Sequence, residues 1–230
     1  MKFKNLSDMT DIENMPTALF PDVKSVADKL TTIADMVTDR HLTDEKAAEI
    51  LNDALKDSNI VFRKSSVEDT AESRLEGSLY DRSMYRIGDI YKEDDKCVIE
   101  YLPGFAGILN KPASYKIFVK FILPCIGHEM IHVLQGVVGG VAELSERYLM
   151  QSHELMAFAY VAAAELYRKY KGSRILMKNH VNDETMDLKT APHFTTYVEL
   201  FGKKNRNVLD KFKKYVLEYA GRTGMFDYLN

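Results

Sequence analysis

The chain has 230 residues, enough for one sizeable core or two small ones, and its 46% hydrophobic and 28% charged residues are those of a soluble globular protein. A net charge of −3 gives no electrostatic reason to expect nucleic acid or an anionic membrane as the main partner. Met1-Lys2-Phe3-Lys4 leads into the polar stretch NLSDMTDIEN rather than an apolar signal core, and the longest apolar run, around Ile117–Ile126, is broken by Lys120 and Pro124, so a cytoplasmic protein with no membrane span is expected.

From Pro21 onward Val23, Val26, Ala27, Leu30, Ile33, Ala34 and Val37 fall at i, i+3, i+4, i+7, the mark of an amphipathic helix. Thr43 is placed to cap a second helix, with Asp44 and Glu45 in its first turn and Ala47, Ile50, Leu51 and Ala54 on one face. The segments NIVFRKSS, SLYDRSMYRIGDIY and KCVIEYLPG are rich in Val, Ile, Tyr and Phe and bounded by turn residues. They predict a small, mostly antiparallel three-stranded sheet over residues 60–102, because the connections read as too short for crossover helices.

After Pro112 the pattern is helical again. Pro124 predicts a break, with one helix ending near Leu123 and another starting at Pro124 or Cys125. Gly139-Gly140 should stop that second helix. A longer one should cover about 149–171 and end at Gly172, followed by shorter helices near 192–201 and 207–220. The whole reads as one α+β domain over 1–230, mainly helical. A helical segment occupies 1–58, a central part 60–171, and C-terminal helices 172–230. Cys97 and Cys125 lie among apolar residues and read as buried thiols, and the scattered Met residues as core filler. The basic stretch GKKNRNVLDKFKKY sets its Lys and Arg opposite Val208, Leu209, Phe212 and Val216, as a solvated helix face does.

Within this frame the stretch GHEMIHVLQG carries chemistry. On a helix, His128 and His132 lie one turn apart on the same face and can aim both imidazoles at one point, as a tetrahedral zinc requires. Glu129 is rotated about 100° around the helix, beside the metal position, where it suits a base acting on the metal's water. Such a His-Glu-x-x-His pattern is expected by chance on the order of 0.01 times in a chain of this composition. Its flanks Ile126, Met130, Ile131, Val133 and Leu134 are apolar, so three ionisable side chains here need a reason.

A catalytic zinc takes a third protein ligand and keeps a position open. Glu143, Glu146, His153 and Glu154 all lie downstream. Glu154 is the strongest of them: it opens the apolar run ELMAFAYVAAAEL, with small Ala157 close by for tight helix packing. Glu143 and Glu146 fall near the Gly139-Gly140 turn and read as exposed, and His153 points about 100° away from Glu154.

Together, GHEMIHVLQ and YLMQSHELMAFAY resemble the gluzincin metallopeptidases in their minimal single-domain form, known from bacterial and phage genomes. The resemblance spans roughly residues 60–171. It implies a zincin-like fold, with zinc held by His128, His132 and Glu154 and a small sheet ahead of the metal helix. Glu154, Ala157, Phe158 and Ala159 match that family's Glu-x-x-Ala-aromatic-Ala pattern. Position 158 is Phe where some members carry an aspartate that orients the first histidine. Val138 excludes the metzincin pattern, which has a third histidine there.

The activity so implied is zinc-dependent hydrolysis of a peptide or protein substrate, by an endopeptidase rather than an exopeptidase, with Glu129 as general base. His193 and Tyr197, in APHFTTY, are candidates for the donor to the developing oxyanion, with Tyr160 behind them. By the same resemblance, an edge strand binds extended substrate, CVIEYL first and MYRIGDI second. The irregular stretch MPTALFPD, as a flap over the site, would lay Phe20 or Asp22 across it; an ordinary extra helical layer is the other reading. The alternative function is a catalytically silent or latent protein of the same fold, a structural or binding component such as part of a phage particle.

Overall fold

The structure, a computed structural model, describes residues 18–38, 40–66, 85–136 and 146–229. The expected Gly139-Gly140 stop, Glu143, residues 15–17 of the proposed flap and residues 78–84 of the second strand segment lie outside the described residues. The fold is α+β and mainly helical, with a small three-stranded mixed sheet. Although the sequence reads as one domain, the chain sorts into two compact units: Pro21–Glu143 with Gly224–Asn230, and Met1–Phe20 with Leu144–Thr223.

The first of these units carries the sheet. Its helix α1 (Val23–Thr32) buries Val23, Val26, Ala27 and Leu30, as their spacing predicts. The expected single helix is interrupted at Ile33, and a short α2 (Ala34–Val37) follows. Helix α3 (Asp44–Leu55) starts as predicted, with the Thr43 hydroxyl accepting from the Lys46 N–H at 3.2 Å. The Asp44 carboxylate accepts from the N–H groups of Gly104 and Ala106 at 2.8 and 2.7 Å, tying α3 to the start of α4 (Phe105–Leu109).

The strands are β1 (Ile60–Lys64), β2 (Ile87–Glu93) and β3 (Lys96–Tyr101), in the spatial order β1-β3-β2. The expectation of a mostly antiparallel sheet is corrected. β2 and β3 form an antiparallel hairpin, but β3 turns back between β2 and β1 and so runs parallel to β1, with Ile60 opposite Cys97 and Lys64 opposite Tyr101. β2, which runs opposite to both, carries the chain back so that β3 can start at the same end as β1. On its other side β1 is closed by a side chain: Asn52 Oδ1 accepts from the Phe62 N–H at 2.7 Å, and its Nδ2 donates to the Phe62 carbonyl at 2.9 Å. One amide thus occupies the two main-chain groups a further strand would need.

Helix α5 (Pro112–Gln135) packs against β2 and β3 and runs unbroken through Pro124, where the sequence predicts a stop. An interior proline costs about 3 kcal/mol. Phe121, Ile122, Leu123 and Ile126 are buried on both sides of it, and at roughly 1.5–3 kcal/mol for each such side chain their burial outweighs the break. The Cys125 thiol donates to the Phe121 carbonyl at 3.6 Å across the same turn. Unbroken, α5 is by length and composition apolar enough to cross a membrane, although half of that stretch is buried inside the protein. The helix ends at Gly136, whose φ of +63° is the left-handed conformation glycine tolerates.

The second unit is helical, with α6 (Glu146–Leu149), α7 (Ser152–Tyr170), α8 (Arg174–Asn182), α9 (Pro192–Phe201) and α10 (Arg206–Gly221). Helix α7 is its axis: Ala157, Ala159, Ala162, Ala163 and Ala164 are fully buried, small enough for α9 and α10 to approach closely. Tyr197 stacks on Phe212 with ring centroids 3.8 Å apart, and Tyr160 meets Tyr219 edge-on at 5.4 Å. The basic residues around α10 find acids, Arg206 and Lys213 on Glu184 and Lys204 on Glu146.

His180, on α8, gives this unit a pH dependence. It is 2% exposed, its Nδ1 meets the Tyr170 hydroxyl at 2.9 Å, and Phe194 packs edge-on to its ring. Burial, helped by the Lys169 charge, pulls its pKa from 6.5 down to about 4. The neutral ring therefore contributes stability that is full above pH 6.5, declines as the unfolded chain takes up its proton below that, and is gone by about pH 4. The shift corresponds to about 3 kcal/mol. Chemical denaturation at pH 7 and pH 4.5 should show wild type losing on the order of 2 kcal/mol more than His180→Gln. Equal losses in the two proteins would remove His180 as the cause.

Candidate metal centre

Helix α5 brings His128 and His132 together one turn apart. Their Nε2 atoms lie 3.1 Å from each other, with ring centroids 4.8 Å apart and ring planes at 82°. Two nitrogens bound at about 2.0–2.1 Å in a tetrahedral arrangement stand about 3.3 Å apart, so the pair fits a shared cation with little movement. His132 is 7% exposed, and its Nδ1 lies 3.1 Å from the Gln135 side-chain oxygen.

Glu129 stands beside the pair, its carboxylate 4.0 Å from His128 Nε2. It is also felt by Cys97 on β3, whose thiol pKa is pushed well up, by burial first and then by the negative charges of Glu129 and Cys125. Cys97 is buried and Cys125 partly so, and the two are not joined in a disulfide.

In the other unit Glu154 occupies the first turn of α7, where the helix N-terminus favours a carboxylate, and is 4% exposed. His153 is not turned away from it as the helical angle predicts: its Nε2 lies 3.5 Å from Glu154 Oε1. Long side chains on adjacent helical residues can converge when both are held at a helix end. Glu146 is on α6 and pairs with Lys204 at 3.0 Å in an exposed setting, as expected for a residue outside the site.

The two residues expected to stabilise an oxyanion are both engaged in packing. Tyr197 donates its hydroxyl to the Leu149 carbonyl at 3.0 Å, and its pKa is raised by burial and then by the Glu154 and Tyr148 charges. His193 Nδ1 lies 2.6 Å from Glu165 Oε1, its N–H donates to Glu165 Oε2 at 3.1 Å, and its ring stacks on Phe158. Glu165 is eleven residues beyond Glu154 on α7, about 16 Å along the axis. His193 thus joins α9 to α7 through Glu165, and Tyr197 joins α9 to α6 through Leu149. Tyr160 is fully buried. The residues proposed as a flap are likewise occupied: Phe20 packs against Tyr219 and under Arg222, and Asp22 caps α1 by accepting from the Ser25 N–H at 3.1 Å.

Two polar residues of these sites escape the sequence reading. Gln135 is three residues past His132, within reach on helical spacing, and was recognisable as a carbonyl-bearing neighbour. Glu165 had no such signal, because only the tertiary fold brings His193 to it. Comparison with family models, with curated proteins and with solved structures finds no match to this chain.

Proposed function

We propose that the protein is a zinc-dependent peptidase of the gluzincin type, with a zincin-like arrangement in which His128, His132 and Glu154 hold one zinc and Glu129 is the general base. The observation that carries this reading is the convergence of the two imidazoles, with Nε2 atoms 3.1 Å apart, on the turn that also presents Glu129. Two imidazoles and one carboxylate also make up a donor set suited to a catalytic zinc with an open position.

When bound, the zinc acidifies a water and polarises the substrate carbonyl. The rest falls to this chain's residues. Glu129 Oε accepts the proton of the attacking water and delivers it to the nitrogen of the departing amine. The apolar neighbours Ile126 and Ile131, both fully buried, limit water around the polar trio. Strand addition of substrate falls to β2 in this reading, since CVIEYL is the central strand β3, already paired on both sides, and Asn52 occupies the open side of β1.

The test is zinc titration of metal-stripped protein by calorimetry, together with digestion of a broad peptide library. One zinc per chain and cleaved peptides are expected, both lost in His132→Ala. Absence of zinc binding would refute the assignment. One bound zinc with every peptide intact would favour the silent structural protein instead.

A further inference from the structure

We infer that Gln135 is a positioning residue that fixes the tautomer of His132 and so prepares it to bind metal. This rests on the metal reading above for its consequence, but not for its geometry. An amide oxygen can only accept, so the 3.1 Å contact between His132 Nδ1 and Gln135 Oε1 requires the proton to sit on Nδ1. In the neutral ring Nε2 then carries the lone pair, and that nitrogen faces His128 Nε2 at 3.1 Å.

The arrangement follows from helix geometry. Residues three apart share a face, and Gln135 is the last residue of α5 before Gly136 leaves the helix with φ +63°. Its side chain reaches back over the final turn to a ring that is 7% exposed. Metal-bound histidines commonly donate their other N–H to a carbonyl or carboxylate, which holds the ring plane and the lone pair on target. His132 is thus prearranged by Gln135.

The experiment compares wild type, Gln135→Leu and Gln135→Glu, each first shown to be folded by circular dichroism. Nitrogen-15 NMR of the metal-free proteins at pH 8 should show His132 as the Nδ1–H tautomer in wild type and Gln135→Glu, and a shift toward Nε2–H in Gln135→Leu. Zinc affinity, from competition with a chelator, should fall roughly 10–100-fold in Gln135→Leu and stay within a few-fold in Gln135→Glu. An unchanged His132 tautomer in Gln135→Leu overturns the inference, as does unchanged zinc affinity. If wild type itself takes up no zinc, the functional reading fails, and the tautomer measurement still decides the role of Gln135.

Discussion

Glu129→Gln is expected to lower peptide hydrolysis by on the order of 10²-fold or more while leaving one zinc bound, the usual scale of a lost general base. The substitution is nearly isosteric and keeps a polar group beside the His128 ring, where the carboxylate now sits 4.0 Å from Nε2. What it removes is the capacity to accept a proton. A glutamine there can still hydrogen-bond water but cannot deprotonate it, so kcat/KM should fall while zinc content and its chelator-competition affinity hold. The apolar packing of α5 against β2 and β3 should be unaffected, and thermal stability should change little. Two outcomes would sink the assignment. Hydrolysis at the wild-type rate would remove Glu129 from the reaction. Loss of zinc along with activity would make Glu129 a ligand rather than a base.

Much of this was legible in the sequence where local rules decide. The 3.6-residue spacing of Val23, Val26, Ala27 and Leu30, the Thr43 cap and the i, i+4 histidines depend only on neighbours along one helix, and α1, α3 and the imidazole pair follow them. The failures occur where distant contacts outweigh a local rule. Pro124 is a stop signal by itself, yet the buried side chains on both sides hold α5 straight through it. The sheet order depends on β3 inserting between its two partners, which strand composition cannot reveal. Helix α8 carries no clear sequence signal, because Ile175 and Leu176, 74% and 48% exposed, blur the periodicity of the buried Met177, His180 and Val181. His193 and Tyr197 are polar residues in an aromatic stretch, and their partners Glu165 and Leu149 lie 28 and 48 residues away. At that separation, a side chain placed for packing and one placed for chemistry look alike in sequence.

Glu154→Ala is expected to weaken zinc binding by on the order of 10²–10³-fold, since the roughly 10–16 kcal/mol of a four-ligand structural zinc site is about 2.5–4 kcal/mol for each ligand. The same substitution also tests whether this carboxylate serves metal or packing. Glu154 is 4% exposed at the head of a helix whose next turns are Leu155, Met156, Ala157, Ala159 and Tyr160, all buried. A carboxylate in such surroundings costs free energy, and the helix N-terminus and His153, 3.5 Å away, help to offset it. If its role is to bind zinc, the metal-free protein should be as stable with Ala as with Glu, or more so. At a zinc concentration that saturates wild type but not the weaker variant, wild type should then gain several degrees of Tm more than Glu154→Ala, because a ligand that binds only the folded chain stabilises it by mass action. If Glu154 instead serves a core hydrogen-bond network, the ordering reverses. Glu154→Ala would melt earlier than wild type without metal, and zinc would raise both melting temperatures equally. Glu154→Asp sharpens the comparison. It keeps the charge but shortens the side chain by one methylene, so a ligand role predicts zinc affinity between those of wild type and Ala. The four melting curves, two proteins with and without zinc, separate the two roles without recourse to any assay of hydrolysis.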